Sequence, residues 1–209
     1  MCGRAAGAVR TAGLPAGLAE AVRAAYVALS GEDDEGVVVA VRSSAVGEDG
    51  ADTSFAGMNA TFTNVRGAEA LFERIVDCWA SLFGPRVVAY RAARGSSAEP
   101  AIAVVAQVMV DAQRSGVAFT ADPATGRRDR VVVEAALGQG EVVVSGAVEP
   151  DTYQLSASDA RLVAARVRNQ THEIVRGTDG ADQTVRLDPL RAGARVLSDD
   201  EAADVARLA

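Results

Sequence analysis

Residues 37–41 read VVVAV, an unbroken apolar run that ends in Arg42-Ser43-Ser44 and gives way to a Gly- and Asp-rich stretch. No polar face interrupts it, so the pattern fits a strand buried on both faces rather than a half-solvated one. That single run constrains the chain most, because it demands a sheet with cover on either side. Residues 45–58 contain Gly47, Asp49, Gly50, Asp52 and Gly57 and read as a loop. Structureless connections longer than about 12–15 residues are usually either functional or disordered, so the junction at Arg42 is the first place to look for a site.

The flanking sequence supplies the rest of an α+β pattern. Residues 1–15 are rich in Gly, Ala and Arg without firm periodicity and are expected to be a disordered N-terminal segment. Residues 15–30 place Leu18, Val22, Ala25, Tyr26 and Leu29 on one helical stripe. Residues 59–65 alternate as a strand. Residues 67–94 carry Leu71, Ile75, Cys78, Trp79, Leu82 and Phe83 at helical steps, with a break expected at Gly84-Pro85. The second half is richer in strands: residues 101–110, 116–120, 130–135, 151–155, 161–167 and 184–187 each read as one. Ser198-Asp-Asp-Glu201 has the form of a capping box opening a last helix.

Composition excludes several functions. The chain has 209 residues, 49% of them hydrophobic, and no apolar stretch long enough to span a bilayer. The N-terminus lacks a continuous apolar core for secretion, and Cys2 and Cys78 form neither a metal motif nor a disulfide framework. A cytoplasmic protein is the expectation, with no membrane association. A net charge of −7 argues against nucleic acid as a partner, and the basic TGRRDR stretch (125–130) is short and lacks interleaved aromatics. All 21 basic residues are Arg. A P-loop of the GxxxxGK[ST] type is therefore impossible, and phosphate must be held by Arg, backbone N–H groups or a metal. Sole His172, in NQTHEIV, reads as a surface residue, and the acidic turns 31–36 and 176–184 lack the spacing of a Ca²⁺ loop.

On residue chemistry alone Arg42 could grip phosphate bidentately or simply satisfy Glu48 or Asp49. Gln107 could line a ligand or be a polar residue on the outer face of an alternating strand. Glu134 could touch ribose or metal, or pair with an Arg.

Longer stretches narrow these alternatives. VAVRSSAVGEDGADTSFAGMNATFTNV (39–65), CWASLFGPRVVAYR (78–91), VVAQVMVDAQRSGVAFTADPATGRRD (104–129) and EAALGQGEVVVSGAVEPDTYQL (134–155) occur in order. Together they resemble the nucleotide-binding region of phosphoenolpyruvate synthase, pyruvate phosphate dikinase and rifampicin phosphotransferase. The resemblance is strongest over 37–155 and resumes at 197–209. It implies an ATP-grasp-like α+β fold of mixed or antiparallel sheets with flanking helices, occupying 16–209 and incomplete at both ends.

The resemblance also implies a nucleotide site. Arg42 matches a phosphate-contacting arginine that would orient ATP and stabilise developing charge, with Ser43 beside it. Gly57 and Thr61 match positions lining the nucleotide, Gln107 a position near adenine, and Met109 lies in an inter-lobe segment (108–110) whose backbone would pair with the base. Glu134 would lie near ribose or metal. ATP and Mg²⁺ are the implied cofactors. The implied reaction passes a phosphoryl group through a histidine domain to pyruvate or a drug hydroxyl. A lysine-bearing N-terminal lobe, the family's acidic metal ligands and that histidine domain are not in this sequence, so they are expected in trans or lost. The other reading is a remnant or split-enzyme subunit acting through partner contacts. Three departures stand out: Gln139 in GQGE where the family has GLGE, Met58-Asn59 for Gln-Gln, and Val46-Gly47 for Thr-Ala.

Overall fold

A computed structural model describes residues 2–32, 36–45, 60–93, 101–178 and 180–209. Gly57, Met58, the residues at 46–47 and most of the 45–58 stretch lie outside them. The chain divides into two compact units, Met1–Met109 and Val110–Ala209, where the sequence suggested one domain from residue 16 onward. The division falls at residues 109 and 110, inside the segment read as inter-lobe.

The first unit opens with helix α1 (Cys2–Ala12), where the sequence reading expects little order. Its Ala-rich sequence favours helix, and Arg10 Nε donates to Asp77 Oδ1 at 2.9 Å. Helix α2 (Ala16–Ser30) follows. Of its expected apolar stripe Tyr26 is buried and Val22 packs with the core, while Leu18 and Leu29 are exposed. Strands β1 (Val39–Ala45), β2 (Thr61–Val65) and β3 (Ile102–Val108) form an antiparallel sheet in the order β2-β1-β3. Strand β1 is central, so it exchanges hydrogen bonds on both sides. It also runs on through Arg42, Ser43 and Ser44 instead of ending there.

Helices α3 (Ala68–Ser81) and α4 (Pro85–Ala93) replace the single long helical pattern. The break comes where Gly84-Pro85 foretold it, because proline is well tolerated at the first helical position and poorly in an interior. Helix α3 covers one face of the sheet. Leu71, Ile75 and Cys78, at steps of four and three, pack with Tyr26, Val39, Val41 and Val65. Burial pushes the Cys78 thiol up to about 11. Tyr26 fixes the entry to β1, since its hydroxyl donates to the Val37 carbonyl at 2.6 Å and accepts from Gly67 N–H at 2.8 Å.

In the second unit β4 (Arg114–Phe119), β5 (Arg130–Leu137), β6 (Asp151–Ser156) and β7 (Leu162–Arg166) form an antiparallel sheet in that order. Strand β5 is the buried strand that its Val-rich run suggests. Val131, Val133 and Ala135 meet Tyr153, Leu155 and helix α7 (Asp199–Leu208), whereas Ala136 meets Val142, Val148 and Ile174. Val142 belongs to the short helix α5 (Glu141–Val144). The hairpin β8 (His172–Arg176) and β9 (Asp182–Arg186) was only half anticipated, since β8 was not read as a strand. Helix α6 (Pro189–Ala192) is capped by Asp188. The capping box at Ser198 is formed as read, with reciprocal bonds between Ser198 and Glu201.

Candidate nucleotide site

In an antiparallel ladder directly opposed residues share a face, and successive residues of one strand alternate faces. Along β1 this puts Val39, Val41 and Ser43 under α3 and leaves Ala40, Arg42 and Ser44 on the other side. Arg42 lies opposite Thr61 of β2 and Val105 of β3, and Ala40 lies opposite Gln107. Arg42, Thr61, Val105 and Gln107 are all exposed. Three of the residues assigned by resemblance to the nucleotide therefore occupy one open face, although up to 65 positions separate them in sequence. Between the Arg42 and Gln107 positions the floor is small and apolar, made of Ala40 and Val105.

The register behind this face is not that of a plain strand. Val39 pairs with Val65 but Val41 pairs with Phe62, so β2 carries one extra residue there. Asn64 absorbs it with φ +56°, the left-handed conformation that Asn tolerates better than most residues. The bulge brings Thr61, not its neighbour, opposite Arg42.

Ser43, assigned to the nucleotide with Arg42, has its side chain on the covered face instead, with 8% exposure. Its hydroxyl accepts from Ala60 N–H at 2.8 Å and donates to Ala60 C=O at 3.2 Å, and its own N–H donates to the same carbonyl at 2.9 Å. Met109 is half-buried just past β3, and its N–H is already donated to Val38 C=O at 2.8 Å. Glu134 belongs to the second unit. It is half-buried on β5, opposite Val117 and Thr152. Strand β4 presses close at that point, since a Cβ at Gly116 would collide with the Glu134 carbonyl.

No group of three or more His, Cys, Asp or Glu side chains able to hold a metal ion occurs among the described residues. His172 is exposed on β8 beside the Thr171 hydroxyl. No helix of the described residues is long and apolar enough to cross a membrane.

Sequence reasoning missed how Gln139 is used. It is 2% exposed, and with its amide turned to suit its neighbours it donates to Asp182 Oδ1 at 2.8 Å and accepts from Arg176 N–H at 3.2 Å. Its backbone N–H meets Ile174 C=O at 2.8 Å. The polar residue in the GQGE turn is thus satisfied by the β8–β9 hairpin, so no buried amide is left unpaired.

Residues 3–209 match the family described as pyruvate phosphate dikinase, AMP/ATP-binding domain. Among curated relatives, a probable phosphoenolpyruvate synthase of Archaeoglobus fulgidus is 42% identical over 178 residues, 85% of this chain and 23% of the relative. The prodigiosin synthesizing transferase PigC of Serratia marcescens is 37% identical over 201 residues, covering 96% of this chain and 22% of the relative. The rifampicin phosphotransferase of Bacillus subtilis is 35% identical over 196 residues, covering 93% and 22%. The chain therefore spans about a quarter of the length of such relatives.

Proposed function

Because the chain belongs to the pyruvate phosphate dikinase AMP/ATP-binding family, we propose that the open face of the β2-β1-β3 sheet receives the phosphates of ATP. The observation that carries this reading is the cross-strand pair Arg42–Thr61, with Gln107 on the same exposed face. A guanidinium presents paired N–H donors that match phosphate oxygens bidentately, and a neighbouring hydroxyl adds a further donor. Positive charge at Arg42 would orient the phosphates and stabilise charge that develops during transfer. Gln107 and the backbone around Met109 would face the base, with the Met109 carbonyl as the group to recognise it because the N–H is taken. Mg²⁺ would accompany the ATP, as phosphoryl transfer requires.

In the longer protein the bound ATP would give up a phosphoryl group by way of a histidine domain. The acceptor would be pyruvate, as in a phosphoenolpyruvate synthase, or a drug hydroxyl, as in a rifampicin phosphotransferase. Acceptor choice would lie with parts of the longer protein, and nucleotide recognition with this one.

Titration calorimetry of the 209-residue chain with MgATP, alone and with the family's N-terminal lobe supplied in trans, tests the reading. Arg42→Ala should weaken ATP about 10- to 100-fold, as loss of a charged hydrogen-bonding group does. An unchanged affinity in Arg42→Ala, or no binding under either condition, would sink it.

A further inference from the structure

Ser43 follows Arg42 and faces the covered core, and its hydroxyl and N–H are both engaged with one residue. Its hydroxyl and N–H together make three hydrogen bonds to Ala60, whose chain neighbour is Thr61. Ser43 follows Arg42 in β1, and Ala60 precedes Thr61 at the start of β2, so the bonds lie one residue away from the Arg42–Thr61 pair on each strand. We propose that Ser43 is a positioning residue that locks the register of β2 against β1 and so sets Thr61 opposite Arg42. This rests on the phosphate reading for its functional consequence, but not for the lock itself.

The need for a lock follows from the shape of β2. It is five residues long and carries the Asn64 bulge, so regular pairing to β1 is interrupted partway along. A one-residue slip moves every side chain of a strand to its other face. Such a slip would bury Thr61 under α3 and turn Phe62 out beside Arg42. Phe62 in its observed place packs with the Tyr26, Val39 and Leu71 cluster, which opposes the slip. Apolar packing of Phe62 and Val65 favours the observed register, and the buried hydroxyl adds to it two directional bonds to a single backbone unit. Only a residue small enough for the buried position, and bearing both a donor and an acceptor, can make this contact. The second serine, Ser44, is exposed on the other face and cannot substitute.

The experiment compares Ser43→Ala, Ser43→Thr, which keeps the hydroxyl, and Ile75→Val, a change in the same core cluster that lowers stability but leaves Ser43 itself intact. Amide hydrogen exchange is read at residues 60–62 and along the β1–β3 ladder, and MgATP affinity is measured by calorimetry. Ser43→Ala should speed exchange at 60–62 at least about tenfold while β1–β3 stays protected, and should weaken ATP about tenfold. Ser43→Thr should restore both, and Ile75→Val should change neither selectively. Unchanged exchange at 60–62 in Ser43→Ala overturns the lock whether or not ATP binds. Faster exchange with undiminished ATP affinity overturns the positioning role. A wild-type chain that fails to bind ATP refutes the phosphate reading instead, and leaves the lock to be judged by exchange.

Discussion

Asp151 shows how much one buried side chain can hold. It is fully buried on β6, and its carboxylate accepts from Val196 N–H at 2.9 Å, Arg168 N–H at 2.8 Å, the Tyr153 hydroxyl at 3.0 Å and Gln170 Nε2 at 3.4 Å. Burial pushes the Tyr153 phenol up, which keeps it protonated as the donor in this network. The phenol oxygen in turn accepts from Leu197 N–H at 2.9 Å. One acid therefore joins β6, the segment after β7 and the approach to α7. Asp151→Ala strands several buried donors together and should cost at least about 3 kcal/mol in urea unfolding; a loss below about 1 kcal/mol would show that water or rearrangement replaces the carboxylate. None of this was legible in PDTYQL, where Asp151 merely opens a strand. Its partners lie up to 45 residues away, and local sequence carries no sign of them. Arg42 is the converse case. Its place in the motif pointed to phosphate, but the face it shares with Thr61 and Gln107 emerges only from strand pairing.

At the level of elements, legibility follows whether the signal is local. The α3–α4 break is written in Gly84-Pro85, and the buried strand β5 in its run of valines. The start of α7 is written in Ser198-x-x-Glu201, and there the physics is simple enough to measure. Removing the Ser198 hydroxyl leaves the first-turn Glu201 N–H without its acceptor, so Ser198→Ala should lower stability by about 1 kcal/mol, read as earlier urea unfolding with an unchanged m-value. Strand β8 was missed because HEIVR looks like a polar surface stretch. Glu173 within it is 7% exposed, held by a two-pronged pair with Arg191 at 2.9 and 3.1 Å. A buried charge spoils the apolar pattern by which strands are recognised, and the arginine that makes it tolerable comes from α6. Helix α1 was missed for another reason: its Gly and Ala content carries little periodicity, and an ion pair from Arg10 to Asp77 on α3 helps to anchor it.

At the scale of the molecule, each unit has a core made from its own residues. Val110–Ala209 brings Val131, Val133, Tyr153, Leu155, Ala202 and Ala203 together without help from the first half of the chain. Residues 110–209 expressed alone should accordingly unfold in one cooperative transition, followed by tyrosine fluorescence and circular dichroism; a gradual, non-cooperative loss of signal would mean that this core does not stand by itself.

The Ser43–Ala60 contact has one more effect, on chain length rather than chemistry. By joining two chain positions on either side of residues 44–59, it fixes both ends of that excursion within hydrogen-bonding distance. Closure entropy grows only with the logarithm of length, about 0.6 kcal/mol per doubling. Changes of length between the clamped ends therefore cost the fold little in closure entropy.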